Sequence, residues 1–127
     1  MFVKGNFIPL KKWGLNLDYK KYQIIYAPDV LEKLKEIRDY ISQNYSSTSG
    51  QHKMEQIISD IEKLEVFPEV GFDADEKYGS KISKYHSTRG YTLSKDYIVL
   101  YHIEEEENRV VIDYLLPTRS DYMKLFK

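Results

Sequence analysis

The sequence contains no cysteine, which excludes disulfide bonds, zinc–thiolate sites and cysteine nucleophiles. No apolar stretch approaches the ~20 residues needed to span a bilayer, and the first residues form no sustained apolar run of signal-peptide type. A strong excess of either charge is also missing, since the formal net charge is −1. We therefore expect a cytoplasmic protein without a membrane segment, which meets charged partners only through local clusters.

The length of 127 residues, 42% of them hydrophobic, suits a single domain with one core. Residues 1–21 show no clear period, are rich in lysine with Asp18 as the one acid, and are interrupted by Pro9 and two glycines. We predict an N-terminal arm or leader over residues 1–21 and a folded domain over residues 22–127.

Two amphipathic helices are predicted in the first half of this domain. A short β-type run over residues 22–26 precedes Pro28, which suits the first turn of a helix. Thr48 and Gln51 have the spacing of a capping box that starts the second helix, and Phe67-Pro68 ends it. Apolar residues recur at three- and four-residue spacing in both helices, at Leu31, Leu34, Ile37, Ile41, Tyr45, Met54, Ile57, Ile58, Ile61 and Leu64. These stripes predict a helical hairpin packed on the core.

The second half is typical of β-strands. Residues 81–93 alternate loosely, residues 97–103 are strand-like, and residues 109–116 return as an antiparallel partner beyond the glutamate-rich turn at 104–108. A short helix follows at the C-terminus. The order β-α-α-β-β-β-α predicts an α+β fold, with an N-terminal strand and a helical hairpin packed on a small antiparallel sheet.

Four short stretches can be compared with known families by their order and spacing. They are Ile37–Ile41, Ile61–Gly71, Asp96–Tyr101 and Leu115–Tyr122. Together they resemble the RelE/ParE superfamily of toxins from bacterial type II toxin–antitoxin systems, over roughly residues 22–127. The resemblance implies a toxin that inhibits growth and is neutralised by a cognate antitoxin.

Three positions depart from the motifs of this superfamily and weigh against mRNA cleavage of the usual kind. Ile98 stands where ribonucleases resembling RelE have an arginine, Pro117 replaces a C-terminal histidine, and Ser120 replaces the second arginine of the closing motif. The long hairpin that ends near Phe67-Pro68 resembles the ParE side, whose members inhibit DNA gyrase. The resemblance therefore favours a ParE-like toxin that binds gyrase.

The segment Lys77–Lys95 contains basic and aromatic residues but no acid. Such a pattern suits a nucleic-acid surface, because cations meet phosphates and rings stack on bases. As a strand, it would place Lys84, His86 and Thr88 on one face, and Tyr85, Ser87 and Arg89 on the other. We predict that target or nucleic-acid binding involves Lys81, Lys84, Tyr85, Arg89, Tyr91 and Arg119. The alternative is a positive strand face that docks an acidic antitoxin.

Catalytic candidates arise only under the alternative of a ribosome-dependent mRNA endoribonuclease of RelE type. His86 would serve as acid or base, because the ordinary pKa of histidine lies near neutrality. Arg89 and Arg119 would hold the phosphate, and Tyr122 would stack on a base or assist proton transfer. A further alternative is a non-toxic relative that only binds an antitoxin-like partner.

No metal or cofactor site is predicted. His102 lies in a hydrophobic strand and is expected to be a structural residue with a satisfied ring, and His52 is expected on a helix surface. The three histidines are dispersed, and the glutamates at 104–107 suit a solvated hairpin tip. We expect the antitoxin to cover an apolar groove between sheet and helices, to which Leu125 and Phe126 contribute.

Overall fold

A computed structural model describes residues 21–94 and 96–118, which form five strands and three α-helices. The predicted arm, apart from Lys21, and the predicted C-terminal helix lie outside the described residues. The elements are β1 (Gln23–Tyr26), α1 (Pro28–Asn44), α2 (Ser47–Glu62), β2 (Phe72–Asp73), α3 (Ala74–Tyr78), β3 (Arg89–Leu93), β4 (Tyr97–Glu104) and β5 (Arg109–Pro117). The predicted α+β class is confirmed. No helix within the described ranges is long and apolar enough to cross a membrane.

The strands form one mixed sheet in the order β1-β5-β4-β3-β2. Strands β4 and β5 pair antiparallel across a turn at Glu105–Glu107, where Asn108 adopts the left-handed conformation with φ 53°. Strand β1 is the exception to the predicted antiparallel sheet, because it pairs parallel to β5 with Ile24 opposite Val110. A parallel neighbour needs a long crossover connection, and here the helical hairpin and three strands lie between β1 and β5.

The predicted helical hairpin is present, but the predicted cap of α2 is wrong. Ser46 is the N-cap, and its hydroxyl accepts a hydrogen bond from the backbone N–H of Ser49 at 3.0 Å. Its extended backbone presents the hydroxyl to the first turn, as an N-cap requires. Thr48 therefore lies inside the helix, and the Gln51 amide donates to Glu55 at 3.1 Å instead of reaching back.

The two long helices approach each other closely at Gly50. A Cβ atom at this position would lie 2.2 Å from the Ser42 hydroxyl oxygen and 2.6 Å from the carbonyl oxygen of Arg38. Only the absence of a side chain permits this separation. Gly50 is therefore a packing residue of α2.

The core lies between the helical hairpin and one face of the sheet. Its members are Val30, Leu34, Ile37, Ile57, Ile61, Leu64, Leu93, Val99, Tyr101, Val110, Ile112 and Leu115. Fully burying an aliphatic side chain of this size contributes roughly 1.5–3 kcal/mol. Most of the predicted stripe is confirmed, but on α1 it is rotated: Val30 is buried, while Leu31 and Tyr45 are exposed.

The strand predicted over residues 81–93 begins only at Arg89. Residues 79–88 form a loop because the Asp75 carboxylate accepts hydrogen bonds from the backbone N–H groups of Ile82 at 2.9 Å and Thr88 at 3.2 Å. The Asp75 side chain thus binds backbone N–H groups that, in a strand, would donate to the neighbouring strand.

Candidate functional site

Exposed basic and aromatic residues lie together in the loop at residues 79–88, which we call the basic loop. Lys81 and Lys84 are exposed, and Tyr85 is 82% exposed. The ammonium group of Lys84 lies 5.2 Å from the centre of the Tyr85 ring, within range of a cation–π contact. The loop therefore presents a positive charge beside an aromatic ring at the surface.

A cavity of about 400 Å³ lies between the basic loop, the start of α1 and the middle of β5. Side chains that the sequence assigned to opposite faces of a strand line it together: Lys84, Tyr85, His86 and Thr88. That division into two faces is wrong because the segment is a loop. Two carboxylates, Asp29 and Asp113, also line the cavity, so it is not uniformly positive.

His86 and His102 stack on each other behind this cavity. Their ring centroids are 3.6 Å apart, and the rings are inclined by only 15°. The Nδ1 atom of His102 lies 2.7 Å from a carboxylate oxygen of Asp113, and its Nε2 atom lies 3.4 Å from Glu104. His102 is thus a sheet residue whose two ring nitrogens both have partners, as the sequence predicted.

This cluster joins three separate parts of the chain. His86 comes from the basic loop, His102 from β4 and Asp113 from β5, and one ligand-type atom from each lies within 4.8 Å of the others. Residues of β4 alternate between faces, so His102 points away from the helix-side core that contains Val99 and Tyr101. Local spacing gives no signal for the cluster, since β-sheet register and loop placement create it.

Glu104, at the start of the glutamate-rich turn, forms a close ion pair with Arg109 of β5. Arg109 donates to its carboxylate, with Nε at 2.8 Å and Nη2 at 2.6 Å. The hydrogen bond from Arg109, reinforced by the one from His102, lowers the pKa of Glu104 below its ordinary value. The turn is therefore partly an ion-paired structure and not wholly a solvated tip.

Arg89 lies apart from the cavity that contains His86. Its Nη2 group donates to the carbonyl oxygens of Glu69 at 3.0 Å and Gly71 at 2.9 Å. The Nη2 group thus holds the chain before β2, and the side chain is half-buried there instead of extending freely from the surface. Tyr91 is half-buried and packs against the core, so it too differs from the exposed residue that the sequence suggested.

The remaining predicted site residues are Arg119, Tyr122, Leu125 and Phe126, and all four lie outside the described residues. Ile98, where ribonucleases of the superfamily have an arginine, is 3% exposed within β4. His52 is exposed on α2, as predicted.

Comparisons with known proteins agree with this architecture. The family model of the ParE toxin of the type II toxin–antitoxin system parDE matches residues 24–122. Among solved structures, the chromosomal ParDE TA system from P. aeruginosa is similar, with a TM-score of 0.60 at 11% identity, covering 77% of this chain and 97% of that one. At this identity the structural likeness supports the fold alone. The comparison with curated proteins gives no match.

The fold and the family match together define the class of the protein: it is a toxin of a type II toxin–antitoxin system. More particularly, the chain belongs to the ParE toxin family. The resemblance inferred from the sequence is therefore confirmed, and so is its preference for the ParE side.

Proposed function

We propose that this toxin inhibits growth by binding DNA gyrase, without chemistry of its own, and that a cognate antitoxin neutralises it. The observation that carries the proposal is the position of Arg89. In this described candidate for holding a phosphate, the Nη2 group of the guanidinium donates to the carbonyl oxygens of Glu69 and Gly71. A nuclease of RelE type needs such a group free to stabilise charge at phosphorus.

The surroundings of His86 also favour binding over RNA cleavage. Asp29 and Asp113 line the same cavity, and their negative charges would repel a phosphate group placed near the imidazole. The buried Ile98 provides no replacement for the missing arginine, since its side chain carries no charge. These features weigh against the RelE-type endoribonuclease.

The basic loop is the proposed contact surface for the target. Lys81, Lys84 and Tyr85 are exposed there, and tyrosine is among the residues that most often dominate binding energy at interfaces. Exposed lysines accelerate association with an acidic surface more than they add to its final affinity. We therefore expect Tyr85 to affect the dissociation rate and the lysines to affect the association rate.

The proposed antitoxin site is a groove between α1 and α2, and not the groove between sheet and helices that the sequence suggested. It has a volume of about 640 Å³ and includes Leu31, Leu34, Met54 and Ile58 between α1 and α2. Leu31 is 49% exposed at its edge. An amphipathic segment with apolar residues at helical spacing fits such a groove. The contribution of Leu125 and Phe126 stays a prediction.

Two assays on the purified toxin, freed from its partner, test the target. One measures supercoiling of plasmid DNA by gyrase, and the other measures cleavage of a short mRNA on programmed ribosomes. We expect inhibition of supercoiling with intact mRNA, and at least a tenfold weaker inhibition by the Lys84→Ala/Tyr85→Ala variant. The matched control is Lys63→Ala/Tyr45→Ala, which removes an exposed lysine and tyrosine from the helices. Cleavage of the mRNA at defined codon positions, with normal supercoiling, would show that the toxin is an endoribonuclease of RelE type. No effect in either assay would indicate a non-toxic relative.

Co-expression tests the antitoxin. The small protein from the neighbouring reading frame should co-purify with the toxin and restore supercoiling. Leu31→Glu places a charge at the groove and should reduce this capture at least tenfold, whereas Val70→Glu, at an exposed apolar residue outside the groove, should not. Equal loss in both variants would show that the groove is not the contact.

A further inference from the structure

The cluster of His86, His102 and Asp113 has the composition of a metal site. Two imidazoles and one carboxylate are a common ligand set for zinc and other late first-row divalent metals, whereas magnesium and calcium prefer oxygen ligands alone. The three candidate ligand atoms lie within 4.8 Å of one another. Ligands around a tetrahedral zinc ion are separated by roughly 3.3 Å, given bonds of about 2.0 Å. To reach coordination distance, the wider separations in the cluster must shorten, while His102 Nδ1 and Asp113, now 2.7 Å apart, must separate by a few tenths of an ångström.

The surroundings of the three side chains suit metal ligands. The side chain of His102 is only 11% exposed, and that of Asp113 is 22% exposed, so two of the ligands are held by the sheet. The Nδ1 atom of His86 lies 3.3 Å from the carbonyl oxygen of Ser87. A donor bond from Nδ1–H to this carbonyl would leave Nε2 of His86 as the free ligand atom, which is the usual arrangement behind a metal-bound histidine.

From this arrangement we propose that His86, His102 and Asp113 bind one divalent transition-metal ion, with Zn²⁺ as the best fit. The ion takes the place of the proton between His102 Nδ1 and Asp113, which lie 2.7 Å apart, and the neutral imidazole then carries its proton on Nε2, on the side of Glu104. Glu104, 3.4 Å from His102 Nε2, orients the ring from its other side. The cavity beside His86 leaves a fourth position for water.

Coordination requires the His86 ring to turn. The two rings are inclined by 15°, so the lone pairs of their nitrogen atoms run nearly parallel and do not converge on one point. His86 belongs to the basic loop and borders the cavity, so its ring has room to rotate while His102 stays fixed in β4. Metal binding should therefore separate the stacked rings and tie the basic loop to the sheet.

The experiment uses the full-length, untagged toxin after treatment with a chelator. Calorimetric titration with Zn²⁺ should give one site per chain, while Mg²⁺ should give no heat of binding. Titration with Co²⁺ should give the visible absorption of a four-coordinate ion. His86→Ala and His102→Gln should each weaken Zn²⁺ binding at least tenfold, and the control His52→Ala should leave it unchanged.

A folding control accompanies these variants. His86 lies in a loop, so His86→Ala should keep the circular dichroism spectrum and unfolding transition of the wild type, which makes its loss of Zn²⁺ binding informative. The proposal is overturned if the wild type binds no stoichiometric Zn²⁺, or if binding persists in both cluster variants. Neither result depends on gyrase inhibition, so this test is independent of the proposed function.

Discussion

The hydroxyl group of Tyr101 lies 2.6 Å from the carbonyl oxygen of Pro68, to which it donates a hydrogen bond across 33 residues of sequence. The hydroxyl oxygen of Tyr101 in turn accepts a hydrogen bond from the backbone N–H of Gly71 at 3.1 Å. Arg89 donates to the carbonyl oxygen of Gly71 from the neighbouring strand β3. One buried tyrosine and one arginine thus attach the chain after the helical hairpin to the centre of the sheet.

Removal of the Tyr101 hydroxyl should destabilise the fold. Tyr101→Phe leaves the carbonyl of Pro68 and the N–H of Gly71 without this partner in a buried place, and such a loss costs about 1–3 kcal/mol. The free energy of unfolding, measured with urea, should fall by that amount. Tyr45→Phe, at an exposed tyrosine on the hairpin, should change it by less than about 0.5 kcal/mol. Equal values for the two variants would contradict this role of Tyr101.

Asp75 should control the order of the basic loop. Asp75→Asn replaces one acceptor oxygen with a donor group, so either the Ile82 or the Thr88 amide loses its partner. Hydrogen exchange at these two amides should accelerate at least tenfold, with little change at the amides of β4. The exposed Glu76→Gln is the matched control, because the Glu76 carboxylate does not bind the loop. Unchanged exchange in Asp75→Asn would show that the loop is held by other contacts.

The sequence predicted the helical hairpin and the β4–β5 pair because both depend on local patterns. Apolar residues at helical spacing mark α1 and α2, and two β-rich runs flank the turn at Glu105–Glu107. Where long-range contacts determine the structure, local patterns gave the wrong prediction. The sequence of the loop at residues 79–88 alternates like that of a strand. However, the Asp75 carboxylate accepts hydrogen bonds from two of its backbone N–H groups, so these groups do not pair with a neighbouring strand.

The histidine cluster shows the same limit within the candidate site. His86, His102 and Asp113 lie far apart in sequence, so their spacing suggested dispersed histidines without a shared role. The β4–β5 register and the path of the basic loop bring them together. Arg89 was assigned to phosphate binding from its place among basic residues, whereas its partners are backbone carbonyls that no side-chain pattern reveals.

The contact between the long helices at Gly50 should be intolerant of any side chain. Gly50→Ala places a Cβ atom 2.6 Å from the backbone carbonyl oxygen of Arg38, which cannot move without shifting α1. The higher helix propensity of alanine, about 1 kcal/mol, favours the variant, but overpacking at a backbone contact typically costs about 1–3 kcal/mol. We expect a net decrease in the midpoint of thermal unfolding, measured by circular dichroism. Thr48→Ala, exposed in the same turn, is the control, and a more stable Gly50→Ala variant would refute this packing argument.

Alkaline pH should destabilise the toxin through Tyr26 in β1. Burial, followed by the negative charges of Glu62 and Glu65, raises the pKa of Tyr26 from its ordinary value of 10.0 to about 12. The folded state therefore retains a proton that the unfolded state loses first. The stability from this group is fully present below pH 10 and is lost as the pH rises through about 12.

Urea unfolding at pH 9, 10, 11 and 12 measures this loss. Tyr26→Phe removes the titrating group, so its free energy of unfolding should decline less steeply over this interval than that of the wild type. Some decline should remain, because burial also raises the pKa of Tyr97 and Tyr101. Tyr40→Phe, at an exposed tyrosine of α1, controls for the loss of a hydroxyl group alone. Parallel curves for the wild type and Tyr26→Phe would mean that Tyr26 ionises equally readily in the folded and unfolded chain, and that its burial in β1 has no electrostatic consequence.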